Sequence, residues 1–206
     1  MIGICPKCGN YQWDKEVKGN EIFCPKCGNS WKFTRLPLFI LSGCSGVGKT
    51  TTAMEIIRRT TEFTVLDADM FYSIMPHETN EDYFDQAEQI GSLSKNLMQA
   101  GKPVLWTKAG NLDMLPKTYN SRFFPAIYCL ALVCDEELLR ARMRNGRGIT
   151  DEGWIQSSVD YNHYFKTHRQ LGDMAFDTWD ISGKTPAEAA DYVIQWVAGA
   201  MRLHKL

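Results

Sequence analysis

The chain has 206 residues, of which 44% are hydrophobic and 23% are charged, and its formal net charge at pH 7 is −1. This composition is ordinary for a globular protein and excludes the overall basic excess that draws a protein to nucleic acid or to an anionic membrane surface. No apolar run approaches the length of a membrane span, and none follows a basic start as in a secretory signal. Seven cysteines without such a signal predict a metal site and a reducing cytoplasm rather than a disulfide framework.

The first 35 residues contain the only internal repeat. The sequence Cys-Pro-Lys-Cys-Gly-Asn occurs at 5–10 and again at 24–29, so that 15 residues separate the two cysteine pairs. This spacing is typical of a closed, tetrahedral zinc site, whose ligands would be Cys5, Cys8, Cys24 and Cys27. Because so short a segment cannot fold on an apolar core alone, the metal would supply its folding energy. We therefore predict a structural zinc ribbon over 1–35 and a second domain over 36–206.

From Leu38 onwards, buried strands alternate with amphipathic helices. The pattern predicts strands at 38–42, 63–67, 103–107, 126–133 and 176–181, and helices at 49–60, 79–100, 135–146, 150–168 and 185–200. Thr79 with Asp82, and Thr185 with Glu188, match the capping box that begins a helix. The alternation predicts an α/β fold with a five-stranded parallel sheet that is covered by helices on both faces.

Residues 43–50 read Gly-Cys-Ser-Gly-Val-Gly-Lys-Thr and fit the Walker A phosphate-loop pattern in full, between a strand and a helix. Such a loop turns its backbone amides towards one anion, while Lys49 contacts the β- and γ-phosphates and the Thr50 hydroxyl can ligate Mg²⁺. The loop predicts a P-loop NTPase fold that uses ATP. The candidate ATP-binding residues are Gly43, Ser45, Gly46, Val47, Gly48, Lys49, Thr50 and Thr51. Cys44 is interpreted as a small filler residue rather than as a reactive thiol.

Two carboxylates, Asp67 and Asp69, follow the second predicted strand, at the sheet edge where ligands gather. They suit a metal-bound water and a substrate hydroxyl, although a solvated strand end or a helix cap is the plainer alternative. The third strand ends without the acid that many P-loop proteins use for Mg²⁺, so Asp67 is expected to serve the ion through water. Lys108, just after that strand, is a candidate for holding an anionic substrate. Trp106 and Tyr72 are candidates for stacking on a base, unless they belong to the core.

Over about residues 37–200 the chain resembles the adenylate-kinase-like P-loop kinases, a group that includes shikimate, gluconate, uridine and other nucleoside kinases. The resemblance depends on the Walker A loop, the Asp-Ala-Asp sequence at 67–69, the arginine-rich stretch 140–147, and the late strand followed by a capping box. The Asp-Ala-Asp sequence looks like the shikimate kinase arrangement. Residues 69–72 are similar to the uridine kinase pattern, in which the aspartate receives the proton of the acceptor hydroxyl.

The same resemblance implies roles for further residues. Arginines at this place form a lid over the nucleotide, and Arg142 and Arg147 best fit the family's spacing. For Arg140 and Arg144, a solvated helix face paired with the acids at 135–137 is the plainer interpretation. The catalytic residues implied are Asp69 as base, Lys49 and Mg²⁺ as charge stabilisers, and Arg142 with Arg147 in the lid.

The sequence therefore predicts a cytoplasmic, ATP-dependent kinase that phosphorylates a hydroxyl of a small molecule, such as a nucleoside or a similar metabolite. Two alternatives stay open. A polynucleotide-end kinase would use the ribbon to touch nucleic acid, which the charge balance does not favour, and it would phosphorylate oligonucleotides instead of free nucleosides. A regulator would bind ATP, phosphorylate no hydroxyl, and use the ribbon to contact a partner.

Overall fold

The computed structural model describes residues 2–204. The outer ends of the two predicted domains, residue 1 and residues 205–206, lie outside the described part. The amino-terminal segment forms a small antiparallel sheet of three strands in chain order. These strands are β1 (Glu16–Lys18), β2 (Glu21–Phe23) and β3 (Ser30–Lys32). Gly19 begins the turn between β1 and β2 with a φ of 57°, a left-handed value that glycine adopts at little cost.

Five parallel strands form the main sheet, in the order β10-β7-β4-β6-β5. The strands of this part of the chain are β4 (Leu38–Ser42), β5 (Thr64–Asp67), β6 (Val104–Thr107), β7 (Ile127–Val133), the hairpin of β8 (Gln170–Leu171) and β9 (Met174–Ala175), and β10 (Asp177–Asp180). The five-stranded parallel sheet is thus confirmed, with each strand end within one residue of its prediction. The β8–β9 hairpin was not predicted, because strands of two residues carry no hydrophobic periodicity.

In the described part of the chain, five α-helices connect and cover these strands: α1 (Lys49–Arg59), α2 (Asn80–Leu97), α3 (Glu136–Ala141), α4 (Glu152–Thr167) and α5 (Pro186–Leu203). Both predicted capping boxes form, at Thr79 with Asp82 and at Thr185 with Glu188. α3 is shorter than predicted, because a π-helical turn over Arg142–Gly146 follows it directly. Among residues 2–204, no helix combines the length and the apolar character needed to cross a bilayer.

The three central strands of the main sheet, β4, β6 and β7, are largely buried, which explains why they read as continuous apolar runs, whereas the edge strands β5 and β10 are partly exposed. Along β4, Phe39 and Leu41 belong to one apolar cluster, which includes residues of α1 and α5. Leu38 and Ile40 belong to the other cluster, which includes residues of α2. The parallel strands therefore present all their carboxyl ends at one edge of a rigid sheet.

The ribbon packs against the opposite, amino edge of the main sheet. Ile22 and Phe33 of the ribbon are buried against Phe123, which precedes β7, and the two phenyl centroids are 6.0 Å apart. The Gln99 side chain accepts from Thr34 N at 2.9 Å and donates to Thr34 O at 3.0 Å. Because α2 runs back from the end of β5 to the start of β6, its carboxyl end lies at this amino edge.

A buried polar network holds the segment before β7 to α2. The Glu88 carboxylate accepts from the amides of Tyr119 and Asn120, and from Asn120 Nδ2 at 2.8 Å. Asn120 Oδ1 in turn accepts from Lys95 Nζ at 2.5 Å. Gly91 permits this close approach, since a Cβ at that position would lie 2.5 Å from Asn120 Cβ. The network thus fixes the surface on which the ribbon packs.

Glu88→Ala is expected to lower the free energy of unfolding by about 1–3 kcal/mol, because buried donors on Tyr119 and Asn120 lose their acceptor. Urea denaturation followed by circular dichroism measures the change. Asp85→Ala, at an exposed position of the same helix without a side-chain hydrogen bond in the described chain, is the control and should shift stability by less than about 0.5 kcal/mol. Equal effects of the two substitutions would contradict the role of the network.

Candidate functional site

A cleft of about 730 Å³ opens at the carboxyl edge of the main sheet. The phosphate loop, the ends of β5 and β6, the segment after α3 and the start of α5 line it. The predicted site residues that line it are Ser45, Gly46, Gly48, Lys49, Thr50, Thr51, Asp67, Asp69, Arg142 and Arg147. Gly43 and Val47 are buried beneath the loop surface. No residue of the ribbon between 2 and 34 lines this cleft.

The phosphate loop has the backbone that its glycines were expected to permit. Gly43 and Gly48 have φ values of 132° and 123°, and a Cβ at Gly43 would lie 2.5 Å from the backbone oxygen of Leu132. Lys49 Nζ donates to the carbonyls of Gly43 at 2.9 Å and Cys44 at 3.0 Å. Since an ammonium carries three donors, Lys49 retains one for a phosphate oxygen.

Burial sets the ionisation of both Lys49 and Cys44. It lowers the pKa of Lys49, while the carboxylates of Asp69 and Asp67 act in the opposite direction. Burial also raises the pKa of the Cys44 thiol to about 12. Cys44 is therefore a neutral filler inside the loop, as interpreted from the sequence, and not a reactive thiolate.

The two acids meet the phosphate loop from the end of β5. Asp67 Oδ1 accepts from Asp69 N at 3.1 Å and caps a short 3₁₀ helix over Ala68–Ser73. Asp67 therefore does cap a helix, as the plainer alternative suggested. The cap uses only one of its two carboxylate oxygens. Burial lowers the pKa of both Lys49 and Lys108, and the charge of Asp69, which is exposed to the cleft, opposes this lowering in both. The Asp67 carboxylate and the Thr50 hydroxyl line the same cleft, and oxygen donors of these kinds fit Mg²⁺.

Two arginines of the predicted lid touch the phosphate loop directly. Arg142 Nη1 donates to Val47 O at 2.8 Å, and Arg147 Nη1 donates to Ser45 Oγ. Between the two arginines, Met143 packs onto the loop at Gly46, where an added Cβ would lie 2.7 Å from Met143 Cγ. The π-helical turn and the residue after it therefore bring both guanidinium groups to the phosphate loop.

The other two arginines of this stretch form surface ion pairs. Arg140 Nη2 lies 2.8 Å from a carboxylate oxygen of Glu136, one helical turn before it. Arg144 Nη2 lies 2.8 Å from Glu152 of α4, a partner that the sequence did not indicate. Neither lines the cleft. The plainer interpretation thus agrees with the contacts of Arg140, whereas for Arg144 the surface position agrees but the expected acidic partners at 135–137 were wrong.

The aromatic candidates separate into core and cleft residues. Trp106 is fully buried, where its Nε1 donates to Ser94 Oγ at 2.8 Å and its ring stacks on Phe71 at 5.6 Å. It belongs to the core and cannot stack on a base. Tyr72 lines the cleft and is half exposed. Trp154, which sequence reasoning missed, is also half exposed there, with its ring 5.8 Å from the Arg147 guanidinium.

The four ribbon cysteines converge as their spacing predicted. All four Sγ atoms lie within 4.8 Å of one another, with 3.6 Å between Cys5 and Cys27 and 3.7 Å between Cys8 and Cys24. A tetrahedron with Zn–S bonds of about 2.3 Å has edges of about 3.8 Å. In each half, the carbonyl of the first cysteine accepts a 2.9 Å hydrogen bond from the glycine amide four residues later. The cluster therefore fits a tetrahedral, thiolate-binding ion such as Zn²⁺.

No family model matches the sequence, and no curated protein is significantly similar to it. Solved structures do match. A sugar kinase from Janibacter sp. is 20% identical with a TM-score of 0.58, over 80% of this chain and 95% of that one. A gluconokinase from Sinorhizobium meliloti is 17% identical with a TM-score of 0.54, over 82% and 97%. A shikimate kinase from Acinetobacter baumannii is 16% identical with a TM-score of 0.51, over 81% and 96%. At these identities the similarity confirms the fold, which is that of P-loop small-molecule kinases.

Proposed function

We propose that the protein is an ATP-dependent phosphotransferase that moves the γ-phosphoryl group to a hydroxyl of a small molecule. The observation that supports this proposal is the composition of one cleft. The Walker A lysine, two carboxylates at and just after the end of β5, and two arginines from the segment after α3 all line it. Cations of this kind can bind the phosphates of a nucleotide, while the carboxylates can serve a metal ion and the acceptor hydroxyl. The kinase fold of the similar structures agrees with this chemistry.

The residues on the nucleotide side hold phosphates and stabilise charge. Loop amides and Lys49 bind the β- and γ-phosphates, and Arg142 with Arg147 offers planar, permanently charged donors at the same loop. Because phosphoryl transfer spreads negative charge over the equatorial oxygens, such fixed cations lower its barrier. Thr50 and Asp67 would hold Mg²⁺, which neutralises phosphate charge when bound.

The residue proposed to act on the acceptor is Asp69. Its carboxylate faces the cleft from the first turn after β5, opposite the phosphate loop. There it can accept the proton of the acceptor hydroxyl as that oxygen attacks the γ-phosphorus. The bond to the γ-phosphorus forms as the β–γ bridging bond breaks, and ADP leaves. Lys49 also holds the reacting phosphate near Asp69, so positioning and charge together account for the catalysis.

For the acceptor, a nucleoside or a similar metabolite stays a prediction, supported by the half-exposed Tyr72 ring in the cleft. The ribbon packs at the amino edge of the sheet, away from the cleft. This placement disfavours a polynucleotide-end kinase that grips its substrate with the ribbon. It leaves the ribbon free to contact a partner, as the regulator alternative requires.

A panel of hydroxyl-bearing metabolites, assayed by mass spectrometry for ATP-dependent gain of one phosphoryl group, tests this function. We expect at least one small molecule to be phosphorylated and 5′-hydroxyl oligonucleotides to be inert. Phosphorylation of oligonucleotides alone would support the polynucleotide alternative. Tight MgATP binding without any phosphorylated product would support the regulator.

We also propose that Cys5, Cys8, Cys24 and Cys27 bind one structural Zn²⁺ per chain in a reducing cytoplasm. All seven cysteines are free, so the four ribbon thiols are available as metal ligands. Elemental analysis of protein purified in reducing buffer should find one equivalent of zinc, and a metal-free, folded ribbon would contradict the proposal.

Cys24→Ser is expected to abolish stoichiometric zinc and to unfold the ribbon, while MgATP affinity changes less than about threefold. The physical reason is that a ribbon of this size folds on its metal, whereas the cleft lies at the other sheet edge. Lys26→Ala, an exposed position between two of the ligands, is the control and should retain the metal. A large loss of MgATP affinity in Cys24→Ser would show that the ribbon supports the cleft.

A further inference from the structure

Lys108 is a buried cation to which the proposed mechanism assigns no role. It follows β6, lies on the wall of the cleft, and is 7% exposed. Within residues 2–204 its ammonium group makes no hydrogen bond and no ion pair. The ammonium groups of other buried or half-buried lysines do have partners. Lys15 Nζ donates to Asp14 at 2.5 Å, Lys95 Nζ donates to Asn120, and Lys49 Nζ to two carbonyls. Since a buried charge is costly unless it is paired, an unpaired lysine that faces a cleft indicates a missing anion.

Hydrogen bonds anchor the backbone around Lys108, and burial restricts the conformations of its side chain. Lys108 N donates to Leu41 O at 3.1 Å, which continues the pairing of β6 with β4. The next carbonyl, that of Ala109, accepts from Ser42 Oγ at 3.2 Å and from the Tyr161 hydroxyl at 3.0 Å. Rigid placement reduces the entropy that a side chain loses on binding a ligand.

The position of Lys108 in the sheet places it on the acceptor side of the cleft. β6 is the neighbour of β5, whose end carries the two acids. Asp69 is close enough to raise the pKa of Lys108, although burial, the larger effect, lowers that pKa to about 8. Arg142 and Arg147, in contrast, follow α3 and contact the phosphate loop. Lys108 is thus a cation beside the proposed base and apart from the lid arginines.

We propose that Lys108 binds a carboxylate of the acceptor, so that the substrate is a hydroxy acid. This inference rests on the proposed function and specifies its substrate class. One cation beside Asp69 balances a singly charged carboxylate, whereas a phosphate dianion would carry an uncompensated charge towards the two acids. Thr107, the residue before Lys108, lines the same wall, and its buried Oγ1 has no hydrogen-bond partner within residues 2–204. An uncharged nucleoside would leave Lys108 unpaired, and sites with unpaired buried groups reject such ligands.

The binding test uses the whole protein with lysine ¹³C-labelled at Cε, saturated with MgADP, and follows the Lys108 resonance by NMR. Lys108→Met, of similar length, identifies that resonance by its loss, and Lys117→Met, at an exposed lysine, is the control. Glycolate, the smallest hydroxy acid, should shift the Lys108 resonance and move its titration midpoint to higher pH. Glycolamide, its neutral analogue, should do neither. If glycolate had no effect on the MgADP-loaded protein, the inference would be overturned. The assignment of the nucleotide site would not be affected by that result. A larger effect of inorganic phosphate than of glycolate would overturn the carboxylate assignment.

The kinetic test compares hydroxy acids with their amides as phosphoryl acceptors. The wild-type protein should prefer the acids, and Lys108→Met should raise the KM for acids by about 10- to 100-fold and remove the preference. Its MgADP affinity, measured by calorimetry, should stay near the wild-type value. If the wild-type protein phosphorylated acids and amides equally well, the inference would be overturned, but the proposed phosphotransfer activity would stand. A Lys108 shift with glycolate in a protein that phosphorylates nothing would instead support the anion site and overturn the proposed function.

Discussion

Lys49→Ala is expected to lower kcat/KM for phosphotransfer by about 10²–10³-fold, the usual effect of removing one preorganised charge stabiliser. Two of the three Lys49 donors are spent on loop carbonyls, so the side chain is fixed by the loop while one donor remains for phosphate. Alanine removes both the charge and this anchoring. The rate is measured with the acceptor identified by the metabolite panel, and nucleotide affinity by calorimetry.

A suitable control for Lys49→Ala is Lys102→Ala. Lys102 is exposed just before β6, at the amino edge of the sheet, and its side chain forms no hydrogen bond or ion pair within residues 2–204. This variant should behave as wild type. Unchanged turnover of Lys49→Ala would rule out the assignment of the phosphate loop as the site of ATP use.

Asp69→Asn is expected to keep MgATP binding and to lose about 10²–10⁴-fold in turnover, the usual contribution of a general base. Asparagine preserves the shape of the side chain but cannot accept the proton of the acceptor hydroxyl. Asp67→Asn should behave differently, because its carboxylate is proposed to serve Mg²⁺. That variant should need more Mg²⁺ and recover activity as Mg²⁺ is raised. Kinetics at varied Mg²⁺ distinguishes the two roles.

The exposed Asp85 of α2 provides the matched control, since Asp85→Asn removes one carboxylate that does not line the cleft. It should leave both turnover and the Mg²⁺ requirement unchanged. Near-normal turnover of Asp69→Asn at saturating Mg²⁺ would show that Asp69 is not the base. In that case the regulator alternative would gain support.

Features with local signals were predictable from the sequence. The apolar runs that end at Ser42 and Thr107 marked strands, because a central parallel strand is buried on both faces. The phosphate loop and the four cysteines were predictable as well, since their function imposes a spacing. Trp106 illustrates the limit of local signals. Its place in the core depends on Ser94 and Phe71, which only the fold brings to it.

Features built from distant residues were not predictable. The attachment of the ribbon depends on Phe123 and Gln99, and no periodicity links either to the ribbon. The lack of a partner for Lys108 is likewise a property of the folded wall of the cleft. The lid arginines were named by a resemblance, but their contacts with Val47 O and Ser45 Oγ arise from the π-helical turn after α3.

The contact between the ribbon and Phe123 bears on how the protein is made. Phe123 follows Phe33 by 90 residues, which a ribosome adds in roughly 5–18 s at about 5–20 residues per second. The four cysteines are therefore complete well before the surface that shields Ile22 and Phe33 exists. During that interval the proposed metal, and no neighbouring domain, is available to fold the nascent segment. We expect zinc supplied during cell-free synthesis to give more active protein than zinc added after release, since late metal meets a chain whose apolar ribbon face has already been open to aggregation.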